Sequence, residues 1–210
     1  IVKYMVQNSL GAIWLAAYPD SPLKGSMEFY IEPAEQTPDV QAQLAAITPE
    51  RLDPEELTLI DPACGSGHIL MEAYDLLREI YLEQGYRHRD IPELILTKNL
   101  YGLDICPRAA QLAAFSLLMK GLEDDRHLLE RGIHLNVMAL QNSTDLNVEH
   151  LASSLDLAGA GFSRTDMAML VELFTHATTF GSLIQVPQVL ADKLPALNRL
   201  VKQAEHDLFT

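Results

Sequence analysis

A short apolar run, a glycine-bearing turn and an amphipathic stretch follow one another directly in the first half of this chain. The run "LTLI" begins at Leu57, the turn "DPACGSGH" follows it, and apolar residues then recur at helical spacing until Gly85. This order predicts a strand buried in a parallel sheet, a tight turn and a helix. Ligands of such sheets bind beyond the carboxyl ends of the strands, so we expect a binding site at this turn.

Two more strands are predicted farther along the chain. The segment "LYGLDI" predicts the second strand, and the helix after it has Pro107 near its first position and Gly121 past its end. The segment "IHLNVMAL" predicts the third strand. Strands that alternate with helices in this way are typical of an α/β fold with a parallel sheet.

The rest of the chain is predicted to be mostly helical. A helix is expected over residues 2–18, a short one near residues 40–46, and mostly helical structure over residues 147–178. The segment "GSLIQV" fits either a strand or an extended connector, and "LPALNRLVKQAEHDL" predicts a closing helix. We therefore divide the chain into three parts: an N-terminal helical element with an acidic connector (1–56), an α/β core that carries the binding turn (57–146), and a helical extension or insertion (147–210).

The chain is strongly acidic. Its 29 acidic and 15 basic residues give a formal net charge of −14, which repels phosphate backbones, so nucleic acid would bind through regions outside this chain. No apolar run is long enough to span a bilayer and no signal segment opens the chain, so no membrane contact is expected. The two cysteines fit no disulfide framework, which favours a reducing, cytoplasmic setting. Because the chain begins at Ile1 in mid-pattern, we expect a fragment of a longer protein.

The two cysteines, Cys64 and Cys106, fit neither a zinc site nor a disulfide framework. We expect both to be small apolar fillers. The seven histidines show no metal-ligand spacing either, so no metal site is predicted.

The residues of the turn decide between two classes of ligand. A dinucleotide fits poorly, because position 70 is Leu where the third glycine of G-x-G-x-x-G should stand, and because the carboxylate of Asp61 would repel a pyrophosphate. The same carboxylate suits S-adenosylmethionine, which carries an ammonium and a sulfonium and no phosphate. A structural strand-to-helix turn with a capping role for Asp61 is the alternative.

The predicted second strand supplies a second carboxylate. Asp104 lies at its end, where an acidic side chain can accept both hydroxyls of a ribose, and Ile105 could pack on the adenine face. The alternative for Asp104 is an N-cap of the helix that begins near Pro107.

Two stretches resemble the motifs of a known enzyme family. "DPACGSGHIL" resembles the first motif of the N6-adenine DNA methyltransferases, and "YGLDICPRAAQLAAFSLLM" resembles their second motif and its helix. The layout of residues 1–190 is most similar to the large PglX-type methyltransferases of BREX phage-defence systems and to related restriction–modification subunits. The resemblance implies a partial Rossmann-like class I S-adenosylmethionine-dependent methyltransferase core with an N-terminal helical element and a helical insertion.

The resemblance also implies which residues bind the cofactor. Asp104 would hold the ribose and Ile105 the adenine, and Asn142 would be the adenine contact of a third motif, with Asp145 as its rival. The residues around the methionine part of the cofactor would come from the turn: Asp61, Pro62, Ala63, Cys64, Gly65 and Gly67.

No catalytic residue is assigned in this chain. The family's Asn/Asp-Pro-Pro-Tyr/Phe loop is absent from the sequence, as is a target-recognition region, so we expect a cofactor-binding piece that is inactive alone. The parent enzyme would methylate adenine N6 in DNA, for host marking in restriction–modification or phage defence, together with other subunits of such a system. A methyltransferase that acts on RNA or protein, and a non-catalytic interaction module, remain the alternatives.

Overall fold

A computed structural model describes residues 1–199 and residue 201 of the chain. The chain forms two compact units, Ile1–Ala139 and Leu140–Thr210. The three-part division made from the sequence follows function rather than compactness and stays a prediction. Each unit is described below by itself.

The first unit contains a parallel sheet of three strands in the order β1-β2-β3. The register pairs Leu59 with Leu100 and Tyr101 with Asn136. The prediction of a mixed α/β fold with a parallel sheet is therefore confirmed. The strands are shorter than the apolar runs that predicted them: β1 Leu59–Asp61, β2 Leu100–Asp104 and β3 Asn136–Ala139.

Six α-helices accompany the sheet in this unit, and shorter helical turns connect them. The α-helices are α1 Val2–Val6, α2 Ala12–Ala17, α3 Pro38–Ile47, α4 His68–Glu83, α5 Ile91–Leu94 and α6 Pro107–Asp124. The π-helical turns are Gln7–Gly11 and Ile95–Asn99, and the 3-10 turns are Pro22–Ser26, Pro54–Glu56 and Leu128–Arg131.

The helix after β2 differs from its prediction at its end. α6 begins at Pro107 as expected, since proline is pre-organised for the first helical position. It continues through Gly121 to Asp124, so the prediction that Gly121 stops the helix was wrong. Gly121 is buried because Leu128 packs against it, and this packing outweighs the low helix propensity of glycine.

Helices α4 and α6 pack on each other and cover one face of the sheet. Leu70, Leu77 and Ile80 of α4 are fully buried in the core between them and the strands. The other face is open: Ile60 is 60% exposed and Met138 56% exposed. The prediction of a buried first strand is therefore wrong for Ile60, since within this unit the described helices pack on one face of the sheet.

The second unit is helical in the residues that the structure describes. Leu157, Phe162 and Met167 lie in a small core of its own. The segment "GSLIQV" forms a 3-10 turn at Gly181–Leu183 and no strand, and residues 194–199 and 201 are helical, while the rest of the predicted closing helix lies outside the described residues. The labelled α-helices of this second unit are α7 Val148–Ser154, α8 Leu157–Ala160, α9 Arg164–Leu173, α10 Ala177–Phe180 and α11 Gln188–Ala191.

Within residues 1–199 and 201, no helix combines the length and the hydropathy that crossing a bilayer requires.

Candidate functional site

The turn after β1 is held against β2 by backbone hydrogen bonds. The N–H of Cys64 donates to the carbonyl of Leu103 at 2.9 Å, which extends the ladder between the two strands past the end of β1. The N–H of Gly67 then donates to the carbonyl of Cys64 at 2.8 Å and closes the turn. Gly67 is the N-terminal flanking residue of α4, with a left-handed φ of 86°. The turn is therefore a fixed element between strand and helix.

Asp104 connects the two strand ends through its carboxylate. Its Oδ2 accepts a hydrogen bond from the N–H of Gly65 at 2.8 Å, and its Oδ1 accepts one from the N–H of Cys106 at 2.8 Å. Each oxygen retains further acceptor capacity, because a carboxylate offers about four lone-pair sites. The side chain thus fixes both loops and can still accept hydroxyl groups from a ligand. The alternative, an N-cap of α6, fails because Cys106 is the capping residue and shows no side-chain cap.

Asp61 lies at the carboxyl end of β1 and is 9% exposed. Its Oδ1 accepts a hydrogen bond from the N–H of Ala63 at 3.2 Å, two residues on, as in an Asx turn. Oδ2 receives no hydrogen bond from any residue that the structure describes. One oxygen of this carboxylate is therefore committed to the turn and the other is available to a cationic group.

The two glycines of the turn serve different purposes. Gly65 has a φ of +53°, and a methyl group added there would meet no atom within 4 Å, so space is open above its backbone. A Cβ on Gly67 would lie 3.0 Å from the Cβ of Ala113, so this glycine is needed for close packing of the turn on α6. Gly65 is the position where a ligand can approach the backbone.

The two cysteines have different environments. Cys64 is 5% exposed, and burial together with the nearby carboxylates of Asp104 and Asp61 raises the pKa of its thiol. Cys106 is exposed, so the expectation that it is a buried filler was wrong. It lies two positions after the end of β2, in the loop whose backbone Asp104 holds, and this loop runs along the surface.

A groove of about 570 Å³ lies beside β1 and reaches Asp61 and Pro62. One wall is β1 with the residues on either side of it, and the other is the N-terminal helical segment. Because β1 ends the strand order, its free edge faces this groove. The residues of the helical wall are Tyr4, Met5, Val6, Asn8, Ser9, Leu10 and Ile13.

The side chains of this helical wall carry no binding motif in the sequence. Tyr4 and Asp61 line the same groove although more than fifty positions separate them in the chain, and α1 comes close to β1 because it packs on α4. The sequence predicts a helix over residues 2–18 and assigns none of its side chains to a binding site.

The remaining predicted contacts lie in two different places. Ile105 is 51% exposed directly after β2, where its side chain is free to cover a flat ligand. Asn142 belongs to the second unit, where its Oδ1 accepts hydrogen bonds from the N–H and the hydroxyl of Thr178, both at 3.0 Å. Its rival Asp145 is exposed in the same unit. The structure brings the turn residues and Asp104 together, and it fixes Asn142 within its own unit.

The charged groups of this site fit S-adenosylmethionine better than a phosphate ligand. The groove includes Asp61 and no Lys, Arg or His side chain, which suits an ammonium and a sulfonium and opposes a pyrophosphate. The described part of the chain contains no group of three His, Cys, Asp or Glu side chains that could hold a metal ion. The open space above Gly65 and the two carboxylates are the features that a cationic nucleoside needs.

Comparison with known proteins gives a consistent family. The model of the family "MmeI, DNA-methyltransferase domain" matches residues 35–154. The adenine-specific methyltransferase BrxX of Escherichia coli O9:H4 (strain HS) is 53% identical over 224 residues, which cover 97% of this chain and 19% of that relative.

A second relative is more distant. The adenine-specific methyltransferase PglX of Lacticaseibacillus casei (strain Zhang) is 33% identical over 214 residues, which cover 98% of this chain and 17% of that relative. The chain therefore spans about a fifth of the length of the curated relatives that it matches.

Proposed function

Because this chain belongs to the MmeI DNA-methyltransferase domain family, we propose that it is the S-adenosylmethionine-binding part of an adenine-specific DNA methyltransferase. The fold in this proposal is a partial Rossmann-like class I methyltransferase core, of which β1, β2 and β3 form one side. The observation that carries it is the bridge from Asp104 to Gly65, which holds an acidic side chain and an open glycine backbone together at adjacent strand ends.

Each residue of the turn has a proposed part in holding the cofactor. The free oxygen of Asp61 accepts a hydrogen bond from the ammonium of the methionine part, directly or through water. The backbone of Ala63, Cys64 and Gly65 lies under that part of the ligand, and Pro62 borders it from the groove. Gly67 keeps the turn tight on α6, so that α4 begins where its free N–H groups face the site.

The nucleoside part is proposed to lie beyond β2. The remaining lone pairs of Asp104 accept the two ribose hydroxyls, and the exposed side chain of Ile105 covers one face of the adenine. The role of Asn142 as the adenine contact of a third motif stays a prediction from the family resemblance; within its own unit, its hydrogen bonds from Thr178 leave its amide N–H donors available.

When bound, S-adenosylmethionine supplies a methyl group on a sulfonium, which is already an activated leaving group. The chain's own contribution is to bind and orient this ligand, with Asp61 opposite its ammonium and Asp104 at its ribose. An Asn-Pro-Pro-Tyr sequence, whose carbonyl oxygens would accept hydrogen bonds from the N6 amino group of a flipped adenine, is not present in these residues. We propose that a longer polypeptide supplies it, together with the basic surface that DNA requires and that a chain with a net charge of −14 lacks.

The setting is proposed from the relatives. A longer protein of this kind would mark host DNA in the cytoplasm for restriction–modification or phage defence, beside other subunits of the same system.

Calorimetric titration of the chain with S-adenosylmethionine tests the cofactor assignment. We expect binding in the micromolar range, and Asp104→Ala should weaken it at least tenfold, about 1.4 kcal/mol. Asp20→Ala is the matched control, since Asp20 is exposed in a turn and takes part in no hydrogen bond among the described residues. The absence of binding by both this chain and the longer polypeptide would reject the proposal and favour a non-catalytic module.

A further inference from the structure

Helix α6 is apolar on both of its faces. Ala110, Ala113 and Leu117 form the buried face, which packs on the sheet and on α4. The opposite face carries Leu112 and Phe115, which are 51% and 59% exposed. Met119 extends the same stripe and is 48% exposed. These three residues recur at i, i+3 and i+7, so they form one continuous outer stripe.

Helix α4 has a polar outer face, in which Glu79 is exposed, Glu72 and Asp75 are half-buried, and Asp75 pairs with Lys120 of α6 at 2.9 Å. At the same spacing, i, i+3 and i+7, and likewise opposite its buried face, α4 carries Glu72, Asp75 and Glu79. The two helices pack side by side on the same sheet, yet one presents three acids outward and the other presents Leu, Phe and Met. A helix that is apolar all round is normally covered on all sides.

We propose that the Leu112–Phe115–Met119 stripe is a docking surface for an apolar segment of the same, longer polypeptide, outside residues 1–210. This inference rests on the part of the proposed function that places the chain in a longer methyltransferase. The matched relatives are about five times as long as this chain, so most of such a polypeptide lies beyond it.

The size of the stripe favours a tethered occupant. A stable interface between separate proteins buries about 800 Å² on each partner, which three side chains do not supply. A segment on the same polypeptide needs far less contact, because the tether gives it an effective concentration in the millimolar range. Pairing of this stripe with the same stripe of a second copy is further disfavoured by like charge, since the 210 residues that carry it have a net charge of −14.

Hydroxyl-radical footprinting of the full-length protein tests this assignment directly. Met119 and Phe115 are both reactive, and their oxidation rates are compared in the native and the urea-denatured protein. A half-exposed Met119, as in the present structure, would be oxidised at about half its denatured rate. We expect native Met119 to react at least about tenfold more slowly than in urea, because the docked segment covers it.

A matched pair of variants identifies the stripe as the cause. Phe115→Glu places a charge at the centre of the stripe and should return Met119 to about half its denatured rate. Gln111→Glu adds the same charge to an exposed position of α6 beside the stripe and should leave the protection unchanged. Because Phe115 is already exposed in this unit, its substitution should not prevent folding.

Two results would overturn the inference. One is a wild-type Met119 that reacts at about half its denatured rate in the full-length protein. The other is protection that rises with protein concentration over a tenfold range, which would assign the stripe to contacts between copies. The cofactor titration is independent of both: Phe115→Glu should bind S-adenosylmethionine as the wild type does, so loss of the proposed function and loss of docking give different results.

Discussion

The carboxylate of Asp104 accepts a hydrogen bond from the backbone N–H of Gly65 at 2.8 Å and thereby ties the loop after β2 to the turn after β1. The second oxygen of the same side chain accepts from the N–H of Cys106. One side chain thus fixes the backbone on both sides of the proposed cofactor site before any ligand is present. Such preorganisation reduces the entropy that binding must overcome.

Replacement of Asp104 by Ala should therefore destabilise the chain as well as weaken cofactor binding. Two backbone N–H groups lose their acceptor, and because both face a loop surface we expect a loss of about 1–3 kcal/mol in the free energy of unfolding. Urea denaturation followed by circular dichroism measures it, with Asp20→Ala as the exposed-carboxylate control. Equal stabilities of the two variants would contradict a structural role for the bridge.

Substitutions of the two glycines of the turn should affect stability and cofactor affinity to different degrees. Gly65→Ala places a residue at a φ of +53° in open space, so its cost is the left-handed backbone alone, about 1–2 kcal/mol. Gly67→Ala meets the same backbone cost and in addition forces Ala113 and α6 away, for a further 1–3 kcal/mol or so.

Urea denaturation of both glycine variants gives the stability order, and calorimetry gives the binding order. We expect Gly67→Ala to be the less stable protein. Gly65→Ala should lose more affinity for S-adenosylmethionine than its stability loss explains, because the new methyl group occupies the space above the turn. An affinity equal to that of the wild type would remove Gly65 from the proposed site.

Asn99 should be among the most sensitive polar positions of the first unit. Its side chain is fully buried, donates to the carbonyls of Pro54 and Leu57, and accepts from the hydroxyl of Tyr81 at 2.9 Å. Asn99→Ala leaves all three groups unsatisfied and should cost at least about 3 kcal/mol by urea denaturation. Tyr81→Phe removes one of these bonds and should cost about 1 kcal/mol. Similar losses for the two variants would argue against this network.

Asn99 also shows where prediction from the sequence reached its limit. The strands, α4 and α6 were predictable because apolar spacing and the proline at position 107 act locally. Asn99 sits in the π-helical turn that ends at β2, and the two carbonyls to which it donates, those of Pro54 and Leu57, lie more than forty positions away. Polarity alone would have placed it on the surface, and only the folded chain brings two carbonyls within its reach.

The candidate site divides in the same way. The positions of Asp61 and Asp104 at strand ends followed from the sequence, because strand ends are local features. The hydrogen bond between Asp104 and Gly65 spans 39 positions, and the groove wall that contains Tyr4 depends on the packing of α1 on α4. Both are properties of tertiary packing, which no motif in a single sequence encodes.

The second unit should lose stability in acid through Asp166. A hydrogen bond from the ammonium of Lys193, assisted by the hydroxyl and N–H of Ser163, lowers the pKa of this carboxyl from 3.8 to about 2. Because the folded-state pKa is the lower one, the stabilisation is fully present above about pH 4 and disappears as the pH falls to about 2.

Hydrogen exchange of α9, compared between wild type and Asp166→Asn at each pH, measures this effect. The wild type should be better protected at pH 6, and the difference should shrink as the pH falls through about 2, where the carboxyl of Asp166 becomes protonated and neutral like the amide of Asn. Asp20→Asn should match the wild type throughout. A difference that persists unchanged down to pH 2 would show that the charge of Asp166 is not the cause.

Thiol labelling should distinguish the two cysteines and report on the proposed site. Cys106 is exposed in the loop that Asp104 holds, whereas Cys64 is buried with a raised pKa, so its reactive thiolate is scarce at neutral pH. Iodoacetamide at pH 7.5 should therefore modify one thiol in the native chain and two in urea, and Cys106→Ser should abolish the native reaction.

Saturating S-adenosylmethionine should slow the labelling of Cys106 several-fold, because the proposed adenine position lies at the adjacent Ile105. If calorimetry shows the chain to be saturated and Cys106 is still labelled at an unchanged rate, the adenine does not lie at this loop. The proposed contact at Gly65 is tested separately by its own variant.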